Sequence, residues 1–287
     1  MNKENRKETI LITGASGMIG SETVRAMLEV GYKVIGIDKR DIEGNTNENY
    51  IHCVVDLSDK KALQKIVSQN SVDRIIHLAA LAHSVDGKEY SWEDYYHLNV
   101  ECAQNIFEIA DQRPVLFIST VDVYGFTKGV VNSQTELKPV SHYAKSKTMA
   151  ENECKKLSNY TIFRFSPVYT DTVKRDIQKR YYLKYPSIAY RIGKGTEYEI
   201  LNVKGAVDAM IAWCEETPKN EIRIIKDDER MNTLDYIKIE KQMGRANIVL
   251  WIPRWIMCAG YTFLKAITGE NKYTYLLNKA VYPLRTE

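Results

Sequence analysis

The sequence predicts an α/β fold in which a doubly wound parallel sheet carries a smaller, interwoven C-terminal lobe. In the first half of the chain, short apolar runs alternate with amphipathic helical stretches, a pattern typical of βαβ units. The turn Gly14-x-x-Gly17-x-x-Gly20 lies directly after the first apolar run and directly before the first helical stretch. A turn in that position is typical of the Rossmann form of the doubly wound sheet.

The elements of the first half follow from periodicity, since apolar runs rich in Val and Ile favour strands and a repeat of about 3.6 residues favours helices. Gly31 marks the end of the first helix, because glycine readily adopts the left-handed conformation of a helix end. Ser58 and Ser141 are expected to cap two later helices. The expected strands are 9–13, 33–37, 51–55, 73–78, 115–119 and 160–165, and the expected helices are 18–30, 58–69, 92–110 and 141–157.

After Pro167 the alternation loosens, and the remaining elements are expected to form a substrate lobe woven into the first domain. The expected boundaries are 1–166 for the dinucleotide-binding domain, with 204–226 returning to it, and 167–203 and 227–287 for the substrate lobe. The expected elements here are strands at 187–192, 197–203 and 222–225, helices at 204–216 and 233–243, and a helical tail over 253–280.

Composition excludes several classes of protein. A net charge of +3 on 287 residues implies no general attraction to nucleic acid or membranes. Five scattered cysteines without a C-x-x-C pair indicate reduced thiols, a cytoplasmic location and no metal site. The apolar run 255–264 is too short for a membrane span, which needs about 20 residues. We expect a buried or interface helix there, with a helix lying on a membrane surface as the alternative.

The glycine turn predicts a dinucleotide site, because glycine allows close approach of the backbone to phosphate at a helix N-terminus. Asp38 ends the second strand, where a carboxylate accepts hydrogen bonds from both ribose hydroxyls and repels a 2′-phosphate. NAD is therefore the expected cofactor. Lys39 and Arg40 follow at once and could tolerate the phosphate of NADP, which stays the alternative.

Tyr143 and Lys147 are four residues apart in one expected helix, so their side chains share a face. A free tyrosine has a pKa near 10. A cation about 4 Å away favours the ionised phenol by roughly 4 kcal/mol at an effective dielectric constant near 20. This spacing therefore predicts a phenol whose pKa is brought towards neutrality, as suits a general base.

The motifs that follow one another along residues 9 to 170 resemble those of the extended short-chain dehydrogenase/reductase family, in particular its NAD-dependent epimerase/dehydratase branch. The resemblance rests on an ordered set of segments. These are Thr13-Gly14-Ala15-Ser16-Gly17-Met18-Ile19-Gly20, Asp56-Leu57, His77-Leu78-Ala79-Ala80, Asn99-Val100, Ser119-Thr120, Val123-Tyr124-Gly125, Tyr143-Ala144-Lys145-Ser146-Lys147, Arg164 and Pro167-Val168-Tyr169.

The resemblance implies a role for each matching residue. Thr120 would hydrogen-bond the reacting oxygen, and Tyr143 would be the acid/base. Lys147 would bind the nicotinamide ribose and lower the pKa of Tyr143. The implied cofactor-binding residues are Gly14, Ser16, Gly17, Met18, Ile19, Gly20, Asp38, Lys39, Asp56, Leu57, Ala79, Ala80, Asn99, Ser119, Tyr143, Lys147, Pro167 and Val168. For Asp56, a simple role at the start of a helix is the alternative.

Substrate residues are less clearly marked. Asp122 keeps a carboxylate close to the catalytic threonine, and a loop-capping role is its alternative. His83 follows the fourth strand and could face the site, or it could simply pack. Segment 171–195 is rich in basic residues and suits a diphosphate, although a solvated helix face explains it equally well. Its arginine candidates for substrate binding are Arg175, Arg180 and Arg191.

Members of this branch mostly act on nucleotide sugars, so the expected function is NAD-dependent epimerisation of a nucleotide sugar, of the 4-epimerase type. A nucleotide-keto-sugar reductase is the alternative. A dehydratase and a non-catalytic dinucleotide-binding protein are further hypotheses, as is a non-sugar alcohol as substrate. The expected partner is a small molecule, without nucleic acid, and a homodimer is an open alternative for the assembly.

Overall fold

The structure is a computed structural model, and it describes residues 8–41, 47–82, 90–126, 128–173 and 175–287. Contacts divide the chain into two compact units, each assembled from three segments. Unit 1 comprises Met1–Thr120, His142–Arg164 and Lys204–Arg223. Unit 2 comprises Val121–Ser141, Phe165–Val203 and Ile224–Glu287. Within the described ranges, no helix combines the length and the apolar character that crossing a membrane requires.

The strands in chain order are β1 (Thr9–Thr13), β2 (Lys33–Asp38), β3 (Tyr50–Val54), β4 (Arg74–His77), β5 (Val115–Thr120), β6 (Val130–Val131), β7 (Tyr160–Phe165), β8 (Val168–Tyr169), β9 (Tyr182–Lys184), β10 (Ile188–Ile192), β11 (Glu197–Tyr198), β12 (Leu201–Asn202), β13 (Glu221–Ile225), β14 (Met231–Asn232), β15 (Ile248–Ile252) and β16 (Arg285–Thr286).

The α-helices are α1 (Met18–Glu29), α2 (Lys60–Gln69), α3 (Trp92–Tyr96), α4 (Cys102–Ala110), α5 (His142–Cys154), α6 (Arg175–Gln178), α7 (Val203–Glu215), α8 (Thr233–Gln242), α9 (Arg254–Thr268) and α10 (Lys272–Val281). A π-helical turn, His97–Glu101, joins α3 to α4, and a 3-10 turn, Val121–Tyr124, follows β5.

A seven-stranded parallel sheet in the order β13-β7-β5-β4-β1-β2-β3 confirms the predicted doubly wound fold. β1 lies between β2 and β4, with Thr13 opposite Ile37 on one side and His77 on the other. Every residue of β1 and β4 is buried, as expected for parallel strands covered on both faces. One core of unit 1 joins strand residues Leu11, Ile35, Ile75, Phe117 and Ile162 to helix residues Leu63, Ile106 and Ala150.

The predicted single helix over 92–110 is wrong in one respect, because the π-helical turn His97–Glu101 interrupts it. Asn99 is buried in that turn, and its side-chain amide bonds the backbone of Leu81 and the hydroxyl of Ser146. A π turn widens the helix locally and is often found at functional sites. The periodicity of apolar residues indicates which face of a helix is buried, but it does not show that one turn contains an extra residue.

Other boundaries also differ from the prediction. Asp59, not Ser58, caps α2, since its carboxylate accepts a hydrogen bond from the N–H of Ala62 at 3.0 Å. The expected strand 197–203 is instead the two short strands β11 and β12. The expected helical tail 253–280 divides at Gly269, which has a φ of 69° that favours glycine. Strand β15 was missed altogether.

Unit 2 has its own core. The three-stranded sheet β15-β10-β9 combines a parallel and an antiparallel pair. Tyr181 and Tyr182, two tyrosines of the basic segment 171–195, are buried in a cluster with Tyr198, Met231 and Ile237. Aromatic rings bury large areas, so these tyrosines stabilise the core of this unit.

Candidate active site

The glycine turn in unit 1 is too tight for side chains. Gly14 has a φ of 73°, and a Cβ on it would lie 2.9 Å from the backbone of Ala79. A Cβ on Gly20 would collide with the carbonyl oxygen of Gly14. Gly17 is the N-cap of α1 and brings no side-chain cap, and the first turn, which begins at Met18 and Ile19, is free of acidic residues. The N-terminus of α1 therefore has the shape and polarity for a pyrophosphate.

Asp38 lies at the carboxyl end of β2 beside this turn. One carboxylate oxygen accepts the N–H of Ser16 at 3.1 Å, and the other accepts the N–H of Arg40 at 3.0 Å. The guanidinium of Arg40 donates to the carbonyl oxygen of Ser16 at 2.9 Å. Lys39 is exposed. A carboxylate held at this edge fits the ribose hydroxyls of a dinucleotide, and the neighbouring guanidinium is a cation that an additional phosphate could contact.

Asp56 and Leu57 follow β3. The carboxylate of Asp56 accepts hydrogen bonds from the N–H of Ser58 at 2.9 Å and from its hydroxyl at 2.7 Å. These bonds hold the pKa of Asp56 below its usual value. The carbonyl oxygen of Leu57 accepts the side-chain amide of Asn105 at 2.9 Å. Asp56 thus organises the turn that leads into α2, which is the structural role weighed for it from the sequence.

The loop after β4 is tied to both the glycine turn and helix α5. The hydroxyl of Thr13 accepts the N–H of Ala79 at 3.2 Å and lies 2.7 Å from Nδ1 of His77. Ala80 comes next in the loop. Asn99 donates to the hydroxyl of Ser146 at 2.9 Å, and Ser146 lies between Tyr143 and Lys147 in the sequence. Burial, with the nearby Lys147, lowers the pKa of His77 to about 3, so the imidazole is neutral.

Tyr143 and Lys147 lie on α5, and Thr120 ends β5. Tyr143 is half-buried, whereas Lys147 is buried, with its Nζ 4.0 Å from the centre of the Phe117 ring. Burial lowers the pKa of Lys147 to about 7, and the carboxylate of Glu151 acts in the opposite direction. The lysine is therefore a cation whose charge depends closely on its neighbours.

Sequence reasoning missed Glu151. It is fully buried one helical turn after Lys147, and both of its oxygens are bonded to the guanidinium of Arg164, at 3.1 and 2.7 Å. The hydroxyl of Ser119 also donates to Glu151, at 2.6 Å. Ser119, expected at the cofactor, thus belongs to this buried network. The signal in the sequence was a glutamate four residues beyond Lys147, on the same helix face.

In unit 2, three expected residues line one cavity, namely Asp122, Pro167 and Arg180. Lys279 of α10 donates to the carboxylate of Asp122 at 2.7 Å. The guanidinium of Arg180 lies 4.4 Å from the centre of the Tyr198 ring. Burial, followed by the charge of Asp122, raises the pKa of Tyr275 in the same cavity. The cavity is therefore lined by the cations of Arg180 and Lys279, the carboxylates of Asp122 and Glu199, and aromatic rings.

The remaining candidates in unit 2 lie elsewhere. Val168 pairs with Leu201 in the short sheet β12-β8. The guanidinium of Arg191 donates to the carbonyl oxygen of Gly193 at 3.0 Å, and Arg191 is not part of the cavity lining. His83 and the side chain of Arg175 lie outside the described residues.

Two curated relatives match about half of this chain or less. UDP-glucose 4-epimerase 2 of Arabidopsis thaliana is 29% identical over 164 residues, 52% of this chain and 47% of that protein. UDP-glucose 4-epimerase of Caenorhabditis elegans is 35% identical over 136 residues, 40% of this chain and 39% of that protein. The chain thus spans about half the length, or less, of these curated relatives.

Two solved structures share the fold. UDP-glucuronic acid 4-epimerase from Bacillus cereus, in complex with NAD, superposes with a TM-score of 0.67 at 22% identity, covering 85% of this chain and 87% of that one. The enzyme WbmG of Bordetella bronchiseptica, also in complex with NAD, gives 0.71 at 17%, covering 88% and 84%. A family model described as NAD dependent epimerase/dehydratase family matches residues 10–221. The chain therefore belongs to the NAD-dependent epimerase/dehydratase family of enzymes.

Proposed function

We propose that this enzyme inverts a hydroxyl-bearing carbon of a nucleotide sugar and is a 4-epimerase in type. The observation that carries the proposal is the helix α5, which holds Tyr143 and a buried Lys147 in the same compact unit as the glycine turn and Asp38. Oxidation of an alcohol requires an acid/base and a bound dinucleotide that accepts the hydride. The names of the curated relatives, UDP-glucose 4-epimerases, support the same reaction.

NAD is the proposed cofactor, and when bound it supplies a reversible acceptor for hydride at the sugar carbon. The first turn of α1 would hold its pyrophosphate, and Asp38 would accept the hydroxyls of its adenine ribose. Both assignments fit the groups described, because the turn excludes side chains and the carboxylate already accepts N–H donors.

The residues of this chain would move the proton. Tyr143 would take the proton of the sugar hydroxyl as its carbon is oxidised and return it at the end. The hydroxyl of Thr120 would hydrogen-bond the same oxygen and hold it in place. The ammonium of Lys147 would stabilise the ionised phenol and bond the ribose of the nicotinamide. Because Lys147 is buried, its charge is screened little by water and acts strongly at short range.

The cavity of unit 2 is the proposed binding region for substrate. Arg180 supplies a guanidinium suited to a diphosphate, and its Nε is buried without a hydrogen-bond partner among the described residues. Asp122 and Lys279 form an ion pair that can bond sugar hydroxyls through either partner. UDP-hexoses are the proposed substrates on the strength of the names of the relatives.

A reductase of a nucleotide keto sugar is the second candidate. It is favoured by Arg40, whose guanidinium bonds the carbonyl oxygen of Ser16 beside Asp38. There it could contact the 2′-phosphate of NADPH, a cofactor that a reductase consumes and must exchange. An epimerase would instead keep its NAD through the whole cycle.

The first test is the cofactor content of the purified chain, followed by interconversion of UDP-glucose and UDP-galactose without added cofactor. For Tyr143→Phe we expect kcat to fall by about 10²- to 10⁴-fold with NAD still bound, because only the proton transfer is removed. Tyr32→Phe, a partly buried tyrosine of unit 1, is the matched control and should keep its activity. Equal activity of Tyr143→Phe and wild type would rule out the mechanism. Stoichiometric oxidation of added NADPH with a keto sugar would establish the reductase instead.

A further inference from the structure

Helix α9 packs on unit 2 through one of its sides. Arg254 donates to the carbonyl oxygen of Val281 at 2.7 Å, and Lys265 lies 5.2 Å from the centre of the Phe126 ring. Tyr261 is buried, and its hydroxyl accepts the side-chain amide of Asn278 at 3.2 Å. At 3.6 residues per turn these three residues lie on one side of the helix. Met257, Cys258 and Leu264 are half-buried on the same side, so the packed side of α9 combines apolar side chains with polar contacts.

The opposite side of α9 is apolar and exposed. Trp255 is 71% exposed, Phe263 69% and Ile267 66%. Ile256, Ala259 and Ala266 share that side of the helix and are also exposed. Surface helices of soluble proteins normally turn this stripe towards the core. The sequence predicted a buried or interface helix here. α9 is not a buried helix, because its apolar stripe has no covering element among the described residues of its unit, and an interface stays a prediction.

Neighbouring elements carry further exposed apolar side chains. β15 ends two residues before α9 begins and is the edge strand of its sheet, with Trp251, Leu250 and Ile248 exposed. On α10, Tyr273 and Leu276 are exposed as well. We call the exposed side chains of β15, α9 and α10 the apolar face. Exposed apolar side chains on three successive elements, several of them aromatic, mark a binding surface.

The charges of the residues around the apolar face indicate what kind of partner it would bind. Between residues 241 and 282 the chain has six basic residues and a single acidic one, Glu270. Three of the basic residues are paired with carboxylates, Arg245 with Glu240, Lys265 with Glu270 and Lys279 with Asp122. The other three, Lys241, Arg254 and Lys272, have no carboxylate partner among the described residues. Arg254 and Lys272, the first residues of α9 and α10, are both exposed and carry uncompensated positive charge next to Trp255 and Tyr273, which gives the apolar face a basic border there.

We propose that the apolar face lies in the surface of an anionic lipid bilayer. Aromatic side chains with a basic border are the pattern of a helix that lies in the headgroup region, with apolar side chains entering the outermost hydrocarbon. A second copy of the chain is a poorer partner, because a two-fold contact brings the same basic border against itself. Anionic headgroups neutralise that border.

The test is co-sedimentation of the full chain with vesicles of phosphatidylcholine, with and without phosphatidylglycerol. Wild type should sediment with the anionic vesicles and much less with phosphatidylcholine alone, and added salt should release it. The double variant Trp255→Ser/Phe263→Ser should lose about tenfold or more of its partition coefficient. Lys272→Glu, a single substitution of an exposed residue, should also weaken binding to anionic vesicles. It tests the proposal by itself if the double variant does not fold.

The matched control is Val30→Ser, which removes an exposed apolar side chain from unit 1 and should bind as wild type does. Circular dichroism checks that each variant is folded. Wild type that stays in the supernatant with anionic vesicles would overturn the proposal, as would a folded double variant that binds like wild type. A dimer without lipid that becomes a monomer in the double variant, with no vesicle binding, would also overturn it and would assign the face to self-association. None of these results depends on catalysis.

Discussion

Lys147 and Glu151 are two charged side chains buried in unit 1. Lysine and glutamate are rarely buried, yet both are here, one turn apart on α5. Burial favours the neutral amine, and the carboxylate of Glu151 opposes it. Arg164 and Ser119 hold that carboxylate in place. Glu151 therefore favours the charged form of Lys147, which lies one helical turn from Tyr143 in α5.

Replacing the buried carboxylate should be costly. In Glu151→Gln, Arg164 stays buried without its partner charge, so we expect a loss of about 3–5 kcal/mol in the free energy of unfolding. Glu153→Gln, on the same helix, removes the charge from a surface pair with Lys156 and alters a side-chain hydrogen bond with Gln104, and it should cost under about 1 kcal/mol. Urea denaturation of both variants provides the measurement. Equal losses in the two would show that burial of Glu151 does not matter.

The glycine turn shows how an element depends on a missing side chain. β1, the turn and α1 fit together because Gly20 leaves room for the carbonyl oxygen of Gly14. The π-helical turn at His97–Glu101 is a comparable local device, since it lets Asn99 reach both Leu81 and Ser146. The glycine lets two backbone segments approach closely, and the π-helical turn places one side chain where it bonds two segments.

Adding a methyl group should have opposite effects on stability at two glycines that lie in helices. Gly20→Ala should destabilise unit 1 by about 1–3 kcal/mol, because backbone atoms must shift to accept it, and NAD binding should weaken with it. Gly260→Ala, in α9, meets no atom within 4 Å and should stabilise the protein by about 0.5–1 kcal/mol through helix propensity. Thermal unfolding and calorimetric titration with NAD give the two readouts. Opposite signs for the two substitutions are the expected outcome, and a stabilising Gly20→Ala would contradict the packing described.

The stability of the whole molecule should depend on pH through its buried bases. Burial sets the pKa of His77 to about 3 in the folded chain against 6.5 in the unfolded chain. Between these values the unfolded state holds one more proton, so the free energy of unfolding falls as the pH falls below 6.5, by up to about 1.4 kcal/mol per pH unit. Lys147, lowered to about 7 from 10.5, acts in the same sense between those two values.

His77→Asn removes the titrating imidazole and leaves Thr13 a polar neighbour. Between pH 6.5 and pH 5, wild type should lose about 2 kcal/mol more of its unfolding free energy than the variant does. Urea titrations of both proteins across this range give the comparison, in which the carboxylates common to both cancel. Parallel curves would mean that His77 is protonated in the folded protein at these pH values.

Local signals in the sequence were sufficient for the central sheet, and they placed the glycine turn before α1, Asp38 at the end of β2, and Tyr143 and Lys147 on one helix; the roles of these residues stay predictions. Each depends on residues close together in the chain, such as apolar periodicity, a βα turn or the four-residue spacing of one helix face. The family resemblance along residues 9 to 170 had the same origin, and it led to the correct family and to NAD.

Contacts between distant segments required the folded chain. Glu151 meets Arg164 and Ser119, and Asn99 meets Ser146, across sequence separations that no local pattern encodes. The apolar run in α9 was predicted from its composition to be a buried or interface helix, yet Trp255, Phe263 and Ile267 are exposed in unit 2. Composition and periodicity report that an apolar stripe exists, whereas the direction in which it points depends on which of its sides finds partners elsewhere in the fold.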